Sequence, residues 1–519
     1  MALSLRKDSP PFKRVLVANR GEIALRIMRA CRDLGSETVA VFSAADADAL
    51  HVSAADSAVA IGPAPAAESY LRVDRILDAA RVADADAIHP GYGFLSERPE
   101  LARECAAAGI TFVGPSPETL ASLGDKIAAR SAAARAGVPT VPGTPGPLHL
   151  EGAGADTALQ AAADSVGLPI LIKAAAGGGG RGMRRVDSMA DLLEAAKAAS
   201  REAAASFGDG SVYLERLVEG ARHVEVQLLG DGQGNVVALG ERDCSVQRRH
   251  QKLVEEAPAP GLSTAQRVAL HVLAVRVAET VGLRNAATAE FLMTPAGEFW
   301  FLEVNARLQV EHGVTEMVTG LDLVHEQLWI AAGKPLSDSV RAAADVAAEP
   351  ARHAIEARIS AEDPARDFTP VPGRLGRWQQ PAGPGVRVDS GVGPGSVVSP
   401  YYDPLLAKVM AVGTDRASAV GRLREALYEL TVTGLQTTLP FHLWLLTEPA
   451  FTSAEGLATD LVEKLWRPEG LTANAADRAA QAALKSTYAA FAGPGGELQP
   501  MPGSTWWRRG VEEGTRGAT

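Results

Sequence analysis

Residues 290–312 read EFLMTPAGEFWFLEVNARLQVEH, and their spacing alone assembles a cation site and a base. The stretch reads as a hairpin: apolar EFLM, a polar turn TPAGE containing Pro295 and Gly297, then the apolar run FWFLEV. With the turn centred on Ala296 and Gly297, Glu290 and Glu303 stand equally far from the tip and face each other across two antiparallel strands. Two carboxylates so placed repel unless something positive sits between them. Continued as a strand, the segment puts Glu303, Asn305, Arg307, Gln309 and Glu311 on one side and Leu302, Val304 and Leu308 on the other. Oxygen ligands on a rigid hairpin, too few to wrap a cation fully, suit Mg2+ whose remaining positions go to phosphate oxygens. An isolated Glu pair reads as the solvated face of an edge hairpin; Arg307 and Glu311 on the same row move the reading to a site.

Two further stretches carry chemistry. Residues 177–182, GGGGRG, formally satisfy GxGxxG, but Met183, Arg184, Arg185 and Val186 after them look like a strand rather than the helix a dinucleotide fold requires. The loop is therefore a hairpin tip, where glycines let backbone N–H groups approach phosphates. Lys173 before it and Arg181 within it make it a mobile phosphate cover rather than a plain linker. The second stretch, CSVQRRHQKLVEEAPAP, sets Arg248, Arg249, His250 and Lys252 beside Glu255 and Glu256 among core strands, where a binding role competes with that of a solvated charged face.

These groups need a frame. At 519 residues with 46% apolar content the chain is long enough for about three domains. Residues 14–115 alternate short apolar runs (RVLVA, TVAVFS, AVAI, AIHPG, ITFVG) with helices, the first helix carrying Ile23, Ile27, Cys31 and Leu34 and ending at Gly35. That alternation predicts a parallel sheet covered by helices. The turns at 18–22 (ANRGE) and 89–97 (HPGYGFLSE) follow strands; without a full dinucleotide fingerprint they read as scaffold or domain interface. A helix spans about 117–136 and includes Asp125 and Lys126, before the boundary loop GVPTVPGTPGP. Residues 142–222 then hold a helix, the strand PILIKAAA, the glycine loop, MRRV, a second helix and VYLERLV. From 223 onward strands and hairpins dominate, with a turn at DGQGN, a helix near 322–332, the strand HAIEARIS with Glu356 and Arg358 on one side, and two closing helices near 466.

A net charge of −11 argues against a nucleic-acid surface as the main function. Cys31, Cys105 and Cys244 are odd in number and lack metal spacing, which fits a reducing compartment. No signal-peptide pattern and no bilayer-length apolar run is present, so a soluble cytoplasmic protein without membrane contact is expected.

The segments ANRGEIALRI, HPGYGFLSE, GDK, IKAAAGGGGRGMR, RHVEVQ, ERDCSVQRRHQKLVEEAPAP, FLEVNARLQVEHGVTE, EARISAEDP and YYDPLLAKV together resemble the biotin carboxylase family, a branch of the ATP-grasp enzymes, in order from about residue 13 to 465. The resemblance implies an α/β and α+β architecture in four parts: an N-terminal α/β domain (11–141), a mobile ATP-grasp lid (142–222), an ATP-grasp core with a C-terminal antiparallel biotin carboxylase domain (223–466), and a tail (467–519). It implies a ligase that carboxylates biotin on a separate biotin carboxyl carrier protein with ATP and bicarbonate, through carboxyphosphate, as the first half-reaction of an acyl-CoA carboxylase. Mg2+ or Mn2+ would serve as the metal. Pyruvate carboxylase is the alternative holoenzyme, and another ATP-grasp ligase the alternative chemistry.

Family ATP-binding positions fall on Lys126, Lys173, Gly178, Gly179, Glu215, Val218, His223, Gln247, His250, Glu290 and Glu303, and metal ligands on Glu290, Glu303 and Asn305. Bicarbonate falls to Lys252, Arg307, Gln309 and the Val310 backbone, with Glu311 as general base and Arg358 beside the biotin ureido oxygen. The family also implies a homodimer and a separate carboxyltransferase subunit. Two positions depart from its pattern: Ala176 replaces a usual Gly, and Ala306 a usual Thr that would point away from the ligands. None of the eight Met residues is followed by Lys, so a carrier domain is not expected within the chain. The tail, with Trp506, Trp507 and Arg508, reads as a helix plus a docking segment or as a disordered end.

Overall fold

The computed structural model describes residues 9–468, apart from 125, 151, 153 and 176–182. The five early apolar runs form one parallel sheet in the order Ser57–Gly62, Glu37–Ser43, Arg14–Val17, Ala87–His89, Thr111–Phe112. Strands this apolar need cover on both faces. Helix Gly21–Asp33 supplies part of it by burying Ile23, Ile27 and Cys31, and helices Val73–Val82 and Pro99–Ala107 add more. The span expected as one helix near 117–136 is two, Pro117–Gly124 and Lys126–Arg135.

Residues 142–222 contain a three-stranded antiparallel sheet in the order Arg184–Val186, Ile170–Ala174, Val212–Arg216. Helices Ala155–Val166 and Leu192–Phe207 pack on it through a core of its own that includes Leu159, Ile170, Ile172, Ala196 and Leu214. Alternation along ILIKA buries Ile170 and Ile172 and sends Lys173 to the opposite face. The strands flanking the glycine run pair as the hairpin reading requires. The run itself lies outside the described residues, and with it Ala176, Gly178, Gly179 and Arg181.

The remainder is organised by one eight-stranded antiparallel sheet, in the order Phe299–Asn305, Arg284–Met293, Arg222–Asp231, Val236–Arg248, Gln251–Ala257, His353–Ser360, Leu405–Gly413, Val386–Ser390. Gln251–Ala257 pairs with His353–Ser360, so the hairpin strands and the C-terminal strands share one sheet. The apolar side of the hairpin merges with the core under the parallel sheet: Phe291, Phe301, Val304 and Ala306 join Ile88, Phe112 and Leu270. A second core, with Ile355, Val409, Leu423 and Phe441, fills the C-terminal end.

Two details of the hairpin correct the sequence reading. Glu290 does pair with Glu303, but the tip is centred on Ala296, where Gly297 N–H bonds Thr294 O at 2.9 Å. A bulge between the Glu290 and Phe291 pairings restores the match, and it leaves Leu302 and Glu303 both half-buried. Leu302 therefore does not share the buried side with Val304 and Leu308, as strict alternation demanded. The strand also stops at Asn305; Glu311 is the residue before helix His312–Thr319, not the end of an extended row.

Candidate active site

Lys252 stands at the centre. Its strand neighbours deliver Glu225, the hairpin delivers Glu290, and the turn before helix His312–Thr319 delivers Glu311; their oxygens lie 2.5, 3.1 and 2.6 Å from Nζ. Burial alone would depress the ammonium, but Cys244 and the three carboxylates outweigh it and hold its pKa well above the ordinary lysine range. Burial also pushes Glu311 towards neutrality, and Lys252, Arg358 and Arg242 reverse this, holding its carboxyl well below the usual range. Glu311 is thus a buried carboxylate kept ionised by cations on two sides, with Arg358 Nη2 at 3.0 Å from Oε2. Arg358 also pairs with Glu255 from the adjacent strand.

Behind this group Arg242, fully buried, spends its guanidinium on Glu225 at 2.6 Å, Gln227 at 2.8 Å, Thr315 at 2.9 Å and Thr288 at 3.1 Å. One cation thereby ties three strands to the helix that follows Glu311, which fixes the carboxylates against their mutual repulsion.

The segment after the hairpin folds back on itself yet keeps its polar heads together. Arg307 donates to Asn305 Oδ1 and Gln309 Oε1, both at 2.9 Å, and Gln309 reaches Glu290 Oε1 at 3.4 Å. Asn305 Nδ2 lies 3.0 Å from Glu290 and 3.4 Å from Glu303. Glu290 is buried; Lys252 and His223, 3.1 Å from Oε2, outweigh that burial and lower its pKa. In turn Glu290, against the effect of burial, raises His223. Carboxylate and amide oxygens of Glu290, Glu303 and Asn305 on adjoining strand positions form an oxygen donor set of the kind a hard divalent cation takes. Among the described residues, His223, Glu225 and Glu290 also bring ligand atoms within 4.8 Å of one another.

Towards the small sheet, Glu215 is shared by Lys173 and Arg130. Burial opposes the charge on Lys173, and Glu215 raises its pKa overall, with Glu303 contributing across the gap. Val218 is half-buried just beyond that strand, Gln247 is buried with its amide on Cys244 O at 3.4 Å, and His250 occupies a turn at φ 64°. Lys126 opens its helix, and its side chain lies outside the described residues. Of the charge run around Lys252, only part faces the centre: Arg248 and Arg249 pair with Asp367, while Glu256 binds Arg416 at 2.7 Å and His353 at 2.8 Å.

Sequence reasoning missed several members. Glu97, in the turn read as scaffold, accepts from Arg307 Nε at 2.9 Å and from Ala306 N at 3.1 Å. Its signal was the turn HPGYGFLSE itself. Glu225 and Arg242 were visible as alternating charges in RHVEVQ and GERDCS, a pattern that apolar strand interiors do not tolerate without partners. Arg130 and Lys408 sit in ordinary helix and strand patterns and gave none. Ala306 belongs to the core, so its methyl points away from the ligands as expected. Cys31, Cys105 and Cys244 are buried and unpaired.

Comparison with known proteins agrees with this geometry. The models of the biotin carboxylase N-terminal domain, the carbamoyl-phosphate synthase L chain ATP-binding domain and the biotin carboxylase C-terminal domain match residues 11–120, 125–339 and 356–464. A biotin carboxylase of Pseudomonas aeruginosa is 51% identical over 85% of this chain and 96% of its own length; one of Nostoc is 48% identical over 88% and 99%. A pyruvate carboxylase component of Methanothermobacter thermautotrophicus is 46% identical over 88% and 90%. Among solved structures, the biotin carboxylase of Campylobacter jejuni superposes with a TM-score of 0.82 at 43% identity over 87% of this chain and 99% of that one. The chain belongs to the biotin carboxylase family, and it is an ATP-dependent ligase.

Proposed function

We propose that this chain carboxylates biotin carried on a separate carrier protein, using ATP and bicarbonate, with Glu311 as the base. The observation that carries the reading is Glu311 itself: a fully buried carboxylate held ionised between Lys252 and Arg358, at the end of a segment whose Arg307 and Gln309 can hold a small anion. Relatives bear on it too: a 2-oxoglutarate carboxylase biotin carboxylase domain dimer, 42% identical with a TM-score of 0.82, is described with MgADP, ADP and bicarbonate.

Bicarbonate is a poor electrophile and must be activated as carboxyphosphate before it can carboxylate anything. Arg307, Gln309, Lys252 and the Val310 backbone would hold it, and Glu311 would take its proton as the oxygen attacks the γ-phosphate. Glu290, Glu303 and Asn305 would hold Mg2+ or Mn2+, which when bound neutralises charge on the terminal phosphates. Lys126, Lys173, Gly178, Gly179, Glu215, Val218, His223, Gln247 and His250 would bind the nucleotide. Arg358 would stabilise the ureido oxyanion of biotin as its nitrogen attacks. Residues 142–222 would close as a lid to exclude the water that would otherwise hydrolyse carboxyphosphate.

Within the family we assign the chain to an acyl-CoA carboxylase, acetyl-CoA carboxylase of fatty acid biosynthesis being the first candidate, acting as a cytoplasmic homodimer with separate carrier and carboxyltransferase subunits. Support comes from length: the biotin carboxylases of Nostoc, Pseudomonas aeruginosa and Bacillus subtilis are covered over 96–99% of their length, whereas pyruvate carboxylase 1 of Caenorhabditis elegans is covered over 37%. Among the described residues, no helix is long and apolar enough to cross a membrane.

The test is transfer of labelled carbon. Purified chain, MgATP and labelled bicarbonate should label free biotin or a biotinylated carrier in acid-labile form. ATP cleavage with labelling of a different amine or carboxylate acceptor instead would move the chain to another ATP-grasp chemistry.

A further inference from the structure

The turns at 18–22 and 89–97 are joined to each other and, through one lysine, to the peptide beside the base. Asn19 Nδ2 donates to Pro90 O and Tyr92 O, both at 2.7 Å. The Tyr92 hydroxyl donates to Glu22 Oε1, and Glu22 Oε2 lies 3.4 Å from Lys408 Nζ. Lys408, on strand Leu405–Gly413, has no solvent exposure; it lies 3.8 Å from Asp389 and donates to Val310 O at 2.7 Å. That carbonyl belongs to the peptide whose nitrogen is Glu311's.

Packing presses the same peptide onto the same strand. Gly313, in the first turn of the helix after Glu311, is so close to Met410 that a Cβ would stand 2.3 Å from its sulfur. At the other end Gly391 meets the 18–22 turn, where a Cβ would stand 2.5 Å from Glu22 N. A strand position that served packing alone would take an apolar side chain, because burying an ammonium costs several kcal/mol unless its partners are well placed. Burial here works against the charge on Lys408, and Glu22, Glu356 and Asp389 outweigh it.

We propose that Lys408 is a positioning residue for the carboxylation chemistry: held by Glu22 and Asp389, its ammonium fixes the peptide between Val310 and Glu311, so that bicarbonate meets that backbone and the Glu311 carboxylate in one geometry. The inference rests on the biotin carboxylase reading of Glu311. The N-terminal turns then act on the reaction without touching substrate. Glu97 holds one end of the anion-binding segment, and Glu22 acts through Lys408 on the other.

The experiment is steady-state ATP cleavage by the full chain, varying bicarbonate at saturating MgATP and then the reverse, for wild type, Lys408→Met and Glu22→Gln. Loss of a charge-assisted hydrogen bond predicts a bicarbonate KM raised about tenfold to a hundredfold in Lys408→Met. The MgATP KM should stay within about twofold, and Glu22→Gln should show a smaller shift of the same sign because Asp389 remains. A merely structural lysine predicts instead a lower melting temperature and a smaller active fraction with both KM values unchanged, and that result overturns the inference. Should Lys408→Met fail to fold, Glu22→Gln decides by the same ratio of KM shifts. Wild-type turnover that ignores bicarbonate would overturn the functional reading and this one with it; bicarbonate-dependent wild type with unshifted variants overturns this one alone.

Discussion

Glu303 and Glu311 sit on one segment, yet their surroundings differ in kind. Glu311 has no exposure and is gripped by Lys252 and Arg358, with Arg242 behind it. Glu303 is half-buried on the bulged hairpin, near Asn305 and within electrostatic reach of Lys173 on the small sheet. The inner end balances its charges within one sheet, before any ligand arrives. At the outer end the groups come from separate sheets, and bound metal and phosphates supply charge of their own. Preorganised charge belongs where the proton moves, and adjustable charge where the nucleotide enters and leaves.

Breaking the inner end should cost most. Lys252→Met leaves Glu225, Glu290 and Glu311 facing one another without their shared cation, and removing one partner of a buried ion pair costs about 3–5 kcal/mol. Urea unfolding should show a loss of that order together with near-complete loss of turnover; wild-type stability would mean the carboxylates are not held as described. At the outer end Glu303→Gln should leave stability within about 0.5 kcal/mol, as for substitutions away from the packed interior. The Mg2+ concentration for half-maximal turnover should rise about tenfold, with chelation by EDTA abolishing activity in both proteins. An unchanged Mg2+ requirement would remove Glu303 from the metal site.

A pH experiment sharpens the contrast. Glu255 is pushed up to about 7 by burial, with Glu311 adding to the effect and Arg358 opposing it. An acid raised above its ordinary value of 4.5 binds a proton on folding. Its contribution to stability is therefore full below that value and lost as the pH rises through about 7. Wild type should lose stability between pH 4.5 and 7 on this account, and Glu255→Gln should lose less; equal losses in the two proteins would count against it. The smallest effect is expected at Arg130, which shares Glu215 with Lys173. Arg130→Met leaves Lys173 as the only one of the two to neutralise Glu215, which should raise the ATP KM by up to about tenfold with little change in kcat. A changed kcat with an unchanged KM would place Arg130 elsewhere in the cycle.

Local pattern carried the hairpin, the parallel sheet and the glycine-tipped strands into view, because each depends on turn residues and alternation within a short window. Glu290 opposite Glu303 followed from symmetry about a turn; the bulge that makes the pairing work did not, since nothing in EFWFLEV marks an extra residue. The convergence of Glu311 with Lys252 and Arg358 came from resemblance rather than spacing, since three separate strand pairings bring them together. Glu97, Arg130 and Lys408 act across long sequence separations, through contacts that only the fold creates. The role of Arg248 and Arg249 failed for the same reason: their partner, Asp367, lies in a loop with no distinguishing pattern.

The central claim is that Glu311 removes the bicarbonate proton, and single-turnover ADP formation in wild type and Glu311→Gln tests it most directly. Wild type should cleave ATP in a burst that requires bicarbonate and is stimulated by biotin. Glu311→Gln, with MgATP affinity intact, should be slower by about a hundredfold or more, the range for loss of a general base. Bicarbonate-dependent cleavage at the wild-type rate in the Gln variant would contradict the account.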